Sequence, residues 1–236
     1  MNTLSAKNFL DQLQILRSDA SQKSYEKAFA TAIEDGDKFI GVRMGDVFRL
    51  AKEHAEMPLE EVEKLLDSPI HEARVGAVSI MDYIARDKKS SDALRKDVFD
   101  LYIRRHDRIN TWDLVDRSAI YVVGSYLADK PRDILYQLAK SKMMAERRTA
   151  ILSTAYFMMK QNDTEDVLKI AELLLRDKED LIHKAVGWML RVSYGVDEKK
   201  FFSFLDAHAS TMPRVMLRYA IEKLDKDQRQ YYLKLK

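Results

Sequence analysis

Apolar residues recur at three- and four-residue spacing along nearly the whole chain, and no stretch alternates in the manner of a strand. That period predicts helices near 5–17, 21–34, 44–56, 58–66, 70–86, 92–105, 111–128, 131–141, 145–161, 164–177, 179–194, 198–209, 213–224 and 226–233. The prolines Pro58, Pro69, Pro131 and Pro213 each fall just before or at the start of one of these patterns, where a missing amide proton costs least. Connections are short, so consecutive helices are expected to pack antiparallel.

Several of these helices look alike. Arg74 in His71-Glu72-Ala73-Arg74-Val75-Gly76-Ala77, Arg148 in Glu146-Arg147-Arg148-Thr149-Ala150-Ile151-Leu152, Lys184 in Ile182-His183-Lys184-Ala185-Val186 and Arg218 in Met216-Leu217-Arg218-Tyr219-Ala220-Ile221 share a pattern. Each sets a cation shortly before a small residue, with apolar positions at helical spacing beyond it. The separations are 74, 36 and 34 residues, and the helix near Thr111 fills the middle of the first gap. A period near 35 residues with two helices per unit is the signature of an α-solenoid. The expected fold is therefore all-α, a curved stack of helical hairpins with a concave basic groove, forming one domain over 1–236 with N-terminal helices in 1–40. Corresponding positions of successive units line one surface. Arg74, Arg148, Lys184 and Arg218 are then expected to form a cationic stripe suited to phosphate, with Asp116 as the anion from the intervening unit. Cations at repeated places also serve as structural partners of neighbouring carboxylates, and the sequence leaves both readings open.

Charge adds to this picture only through its distribution. The net value is +2, but 51–100 carry 8 Lys/Arg against 12 Asp/Glu, whereas 101–150 carry 10 against 6. An acidic outer face with a basic inner one is compatible with phosphate binding, and equally with ordinary solvated helices. The absence of cysteine excludes disulfides and thiolate metal sites, and the five histidines show no ligand spacing, so neither metal nor cofactor is expected. No apolar run approaches a membrane span, and Met1 to Leu13 lacks a signal-peptide core, which makes the cytoplasm the default compartment. Nothing suggests a dimerisation device, and a monomer is the default.

The strongest chemical signal is a pairing. Trp112 and Asp116 are i and i+4, so an indole and a carboxylate share one helix face. A carboxylate within Trp112-Asp113-Leu114-Val115-Asp116-Arg117, followed by the apolar Ala119 to Val123, is expected to be partly buried and to need a reason for being there. That reason is a salt bridge, to Arg117, Arg148 or another unit, or a functional role. Asp113 reads as a first-turn acid and Thr111 or Asn110 as the cap. Trp188, beside Gly187, is either core or a second exposed aromatic, with the glycine allowing close approach of a helix or of nucleic acid. The run Arg104-Arg105-His106-Asp107-Arg108 suits a helix C-terminus and is also placed to grip phosphate. Met143, Met144, Met158, Met159 and Tyr156 are expected in the core.

At these residues the chain resembles the AlkD family of bacterial alkylpurine DNA glycosylases, which are built from HEAT-like repeats. The matching stretches are Gly41-Val42-Arg43, Trp112-Asp113-Leu114-Val115-Asp116, Arg147 to Leu152, Lys184 to Arg191, and Leu217 to Glu222, in family order over most of the chain. The resemblance implies a duplex DNA partner carrying N3- or N7-alkylated purines. It makes Asp116 the catalytic carboxylate, sets Trp112 and Trp188 beside the lesion-bearing nucleotide, and has Arg148 hold DNA phosphate nearby. Arg74, Lys184, Arg218, Arg147, Arg191 and Arg43 complete the expected DNA-binding set. Two departures stand out. An ungapped alignment back from Gly41 puts Ala32 where the family can carry an aromatic, leaving Tyr25 and Phe29 as the nearby substitutes. Arg43-Met44-Gly45 also lacks the proline expected after Gly-Val-Arg.

The implied chemistry needs few groups. An alkylated purine is already a cationic leaving group and requires no general acid. The burden falls on the oxocarbenium-like sugar, which a carboxylate in a low-dielectric site stabilises. The same carboxylate orients water toward C1′. A monofunctional glycosylase without strand cleavage is expected. Two alternatives are a non-catalytic DNA-binding relative and a HEAT-type scaffold for protein partners.

Overall fold

The computed structural model describes residues 4–29 and 36–235. Among these, every regular element is helical: α1 (Ala6–Ile15), α2 (Asp19–Phe29), α3 (Met44–Glu53), α4 (Leu59–Leu66), α5 (His71–Arg86), α6 (Asp92–Arg104), α7 (Trp112–Ala119), α8 (Asp133–Leu138), α9 (Met144–Gln161), α10 (Glu165–Leu173), α11 (Asp180–Tyr194), α12 (Glu198–His208), α13 (Arg214–Ala220) and α14 (Lys226–Lys234). A π-helical segment, Ile120–Ser125, continues α7. The only β pairing among the described residues is an isolated parallel bridge between Lys38 and Ile70. Local chemistry sets many of the ends. Ser5, Ser91, Asp197 and Asp225 cap α1, α6, α12 and α14 by accepting from backbone N–H groups of the first turn. Asn162 closes α9 in the left-handed conformation at φ 52°.

The chain divides into two compact units, Met1–Val122 and Val123–Lys236. In the first, α5 is the axis. It packs on its sequence neighbours α4 and α6 and also on α3 and α7, two elements away on either side. Nearly all of it is buried, including Glu72, Arg74 and Asp82. In the second unit, α9 packs on α8, α10 and α11, and α11 packs on α10, α12 and α13. Each unit thus shows the repeat pattern: odd-numbered helices stack on one another and even-numbered ones flank them. The recurrent sequence cations fall on the odd series, Arg74 on α5, Arg148 on α9, Lys184 on α11 and Arg218 on α13.

Two glycines permit the tight stacking. A Cβ on Gly187 would lie 2.5 Å from the Met216 carbonyl oxygen and 2.5 Å from the Tyr219 Cβ, so the partner that approaches it is α13. Gly41, at φ +80°, brings its backbone onto the Ser18 carbonyl, where any side chain would collide at 1.9 Å. The expected core methionines divide: Met158 is fully enclosed, whereas Met143 and Met159 are exposed at 39% and 48%. Met143 is the N-cap residue of α9 and Met159 lies in its last turn. Among the described residues, no helix is long and apolar enough to cross a membrane.

Candidate nucleic-acid interface

In the first unit the candidate site is built on α7. Leu114, Val115, Ser118 and Ala119 bury one face of this helix, while Trp112, Asp116 and Ile120 stay partly exposed on the other. The expected i, i+4 pairing is therefore present, with indole and carboxylate one turn apart on the accessible side. Arg117, the residue next to Asp116, turns elsewhere. Its Nη1 contacts Asp82 at 2.8 Å, its Nε donates to Ser79 at 2.9 Å, and the guanidinium lies over the rings of Phe48 and Tyr83. Burial pushes the Asp82 carboxyl above its ordinary range despite the nearby charges of Arg117 and Arg86.

The aromatic of the N-terminal helices that meets Trp112 is Phe29. Its ring stacks on Trp112 with centroids 5.4 Å apart and planes 7° from parallel, and Phe39 and Tyr25 continue the cluster behind it. A stacked pair of this kind is worth about 0.5–1.5 kcal/mol beyond its buried area. Ala32, the position given by the ungapped alignment, lies outside the described residues. The signal that finds Phe29 is tertiary, since it stands 83 positions from Trp112 in the sequence.

Beneath the aromatics lies a buried polar chain. Arg74 is fully enclosed. It pairs with Asp37, donates to Asn110 Oδ1 at 3.3 Å, and meets His71 Nδ1 at 3.3 Å. His71 Nε2 lies 2.7 Å from Asp113, which also accepts from the Thr111 hydroxyl at 2.7 Å. Thr111 stands at the N-cap position as expected, but its hydroxyl serves Asp113 rather than the helix amides. Burial raises the Asp113 pKa, and the hydrogen bonds from His71 and Thr111 outweigh it, so the carboxyl sits below its usual range. Glu72, equally buried, accepts from the backbone N–H groups of Ile40, Gly41 and Val42 at 2.8–3.3 Å. The Gly41-Val42-Arg43 stretch is thereby wrapped around a carboxylate, leaving Arg43 exposed at the start of α3.

The cations part company once their partners are known. Arg74 is taken by Asp37 in the interior, where no phosphate reaches it, so its place in the stripe is structural. The 104–108 run also finds partners within its own unit. Arg104 and Arg105 bind Glu63, Arg105 also binds Asp67 and Asp107, and Arg108 donates to the Leu66 and Ser68 carbonyls. In the second unit Arg147 forks onto Asp177 at 2.6 and 3.2 Å and holds the Ser141 and Lys142 carbonyls. Arg191 pairs with Glu222. Arg148 is 5% exposed and donates to the Leu181 carbonyl.

Lys184 and Arg218 differ from these. Among the described residues neither side chain has an ion pair or hydrogen bond, and Arg218 is exposed. Lys184 lies on α11 and Arg218 on α13, two helices that pack on each other. Lys184, Trp188 and Arg191 are i, i+4 and i+7 on α11, and the Arg191–Glu222 ion pair ties that face to the segment just after α13. Trp188 is half-buried there.

A family model described as DNA alkylation repair enzyme matches residues 9–224, running through both units. Among solved structures, the chain is similar to a "Predicted DNA alkylation repair enzyme from Enterococcus faecalis", with a TM-score of 0.66 at 16% identity, over 91% of this chain and 99% of that one. At that identity the likeness concerns the fold. No curated protein matches.

Proposed function

The chain belongs to the DNA alkylation repair enzyme family, and from that premise we propose that it is a monofunctional DNA N-glycosylase releasing cationic N3- and N7-alkylated purines from duplex DNA. The observation that carries this reading is the accessible face of α7, an indole and a carboxylate one turn apart on a helix whose opposite face is locked into a packed unit. In the proposed reaction the C1′–N bond breaks and the purine departs with the bonding electrons, becoming neutral. Asp116 opposes the positive charge that develops on the sugar, and a water oriented by its carboxylate adds at C1′ and gives up a proton to it. Trp112, held flat by Phe29, offers its face to the cationic sugar, an attraction of about 0.5–2 kcal/mol.

Trp188, Lys184 and Arg218 supply a second surface that suits a sugar–phosphate backbone, and Arg43 a further cation. Arg148 is nearly enclosed and contributes charge more readily than a direct grip. Arg74, Arg147 and Arg191 already hold carboxylates and are not proposed as ligands of DNA. The test is incubation of the purified chain with duplex DNA containing N7-methylguanine, reading free base and intact abasic strand. Free base without strand cleavage supports the reading. Tight DNA binding with no base released from this substrate or from N3-methyladenine would replace it with a non-catalytic DNA-binding role.

A further inference from the structure

A buried ion pair is seldom the most stable way to fill an interior. The chain Asp37–Arg74–His71–Asp113–Thr111 fills one with five polar side chains, and it leaves Arg74 Nε and Asn110 Nδ2 without hydrogen-bond partners among the described residues. Its far ends converge on a single place. Arg74 reaches Asn110, and His71 reaches Asp113, which in turn holds Thr111. These three residues flank Trp112 on both sides and make up the entry and first turn of α7. The hydrogen bonds therefore fix the rotation of that turn, and the helix carries the setting on to Asp116.

His71 is the link between the two halves. A guanidinium has donors only, so the contact from Arg74 Nη2 to Nδ1 at 3.3 Å is a hydrogen bond when Nδ1 carries no proton. That tautomer puts the proton on Nε2, which donates to Asp113 at 2.7 Å. The imidazole also packs against Phe29 and Phe39, with centroids 5.2 and 4.8 Å away, so it helps to order the aromatic that backs Trp112.

We propose that His71 is a positioning residue for base excision, a donor–acceptor link between α5 and α7 that sets Trp112 and Asp116 in their working orientation. It rests on the reading that Trp112 and Asp116 serve the lesion-bearing nucleotide. Glutamine offers one acceptor and one donor and can replace the link, whereas leucine offers neither. His71→Gln is expected to keep the single-turnover excision rate within about threefold of native. His71→Leu is expected to lose about 100-fold, the scale of a misplacement near 1 Å, with the affinity for undamaged duplex changed less than about threefold. Equal rates for Gln and Leu, or a loss confined to DNA affinity, would overturn the proposal. If His71→Leu melts below the assay temperature, His71→Asn replaces it. Asparagine is too short to reach both partners, so a native rate in that variant would overturn the proposal too.

A second readout is independent of catalysis. In a Trp188→Phe background Trp112 is the sole tryptophan. Its emission should shift to the red in His71→Leu and stay native in His71→Gln. Unchanged emission in both would reject the positioning role whatever the activity, while shifted emission in a chain that releases no base would retire only the excision reading.

Discussion

Asp113 and Asp116 stand three residues apart on α7 and meet opposite ends: one is bound into the interior by His71 and Thr111, the other stays on the accessible face. The first has a measurable signature. A carboxylate whose native pKa lies below its unfolded value of about 3.9 adds stability that is complete above that value and is lost as pH falls through the native one. Asp113→Asn should therefore cost about 1–3 kcal/mol in urea unfolding at pH 7, and the gap to the native chain should shrink below about pH 4. A gap constant from neutral pH to pH 2 would contradict the pairing. The Trp112–Asp116 face was legible in the sequence because helical spacing alone defines it. Phe29 and the His71–Asp113 link were not, since each joins residues more than 40 positions apart and leaves no local pattern. Arg74 was legible as a recurring cation. Its partner was not, so the sequence could not separate a ligand of phosphate from a ligand of Asp37.

At the scale of the helices, periodicity located the elements well and their irregularities poorly. The stretch expected as one helix over 111–128 ends its α-helical part at Ala119 and continues as a π-helical segment. Gly124 in that segment lies against α9, where a Cβ would stand 2.4 Å from the Ser153 carbonyl oxygen. Hydrophobic spacing does not record such a tertiary contact, and π segments of this kind occur often at functional sites. Gly187 was recognisable as a place of close approach, and the structure identifies the partner as α13. Gly187→Ala should force α11 and α13 apart and cost about 1–3 kcal/mol, read as a lower urea midpoint. An unaltered midpoint would show that the helices do not need that approach. Because α11 carries Lys184 and Trp188 while α13 carries Arg218, the same variant should weaken DNA binding as well.

For the molecule as a whole, net charge says little, and the division between engaged and available cations says more. Arg74, Arg104, Arg105, Arg147 and Arg191 neutralise carboxylates within their own units. Among the described residues, Lys184 and Arg218 do not. Removal of a phosphate contact lowers the slope of log K against log salt by about 0.9. Lys184→Ala and Arg218→Ala should each flatten the salt dependence of duplex binding by about that amount with little loss of stability. Arg147→Ala should do the reverse, lowering stability and leaving the slope near native. Equal slopes for all three would contradict this division. The sequence showed the repeat and the odd-helix placement of its cations, because both are periodic. It could not show which of them were spent inside, because that depends on carboxylates roughly 30 to 40 residues away.

The most direct test of the central claim compares the native chain with Asp116→Asn in single-turnover release of N7-methylguanine from duplex DNA. Asparagine keeps the shape and removes the charge, so the rate should fall by about 10²–10³-fold with DNA affinity near native, as for loss of a preorganised electrostatic group. Equal rates in the two proteins would contradict it, taking Asp116 out of the reaction.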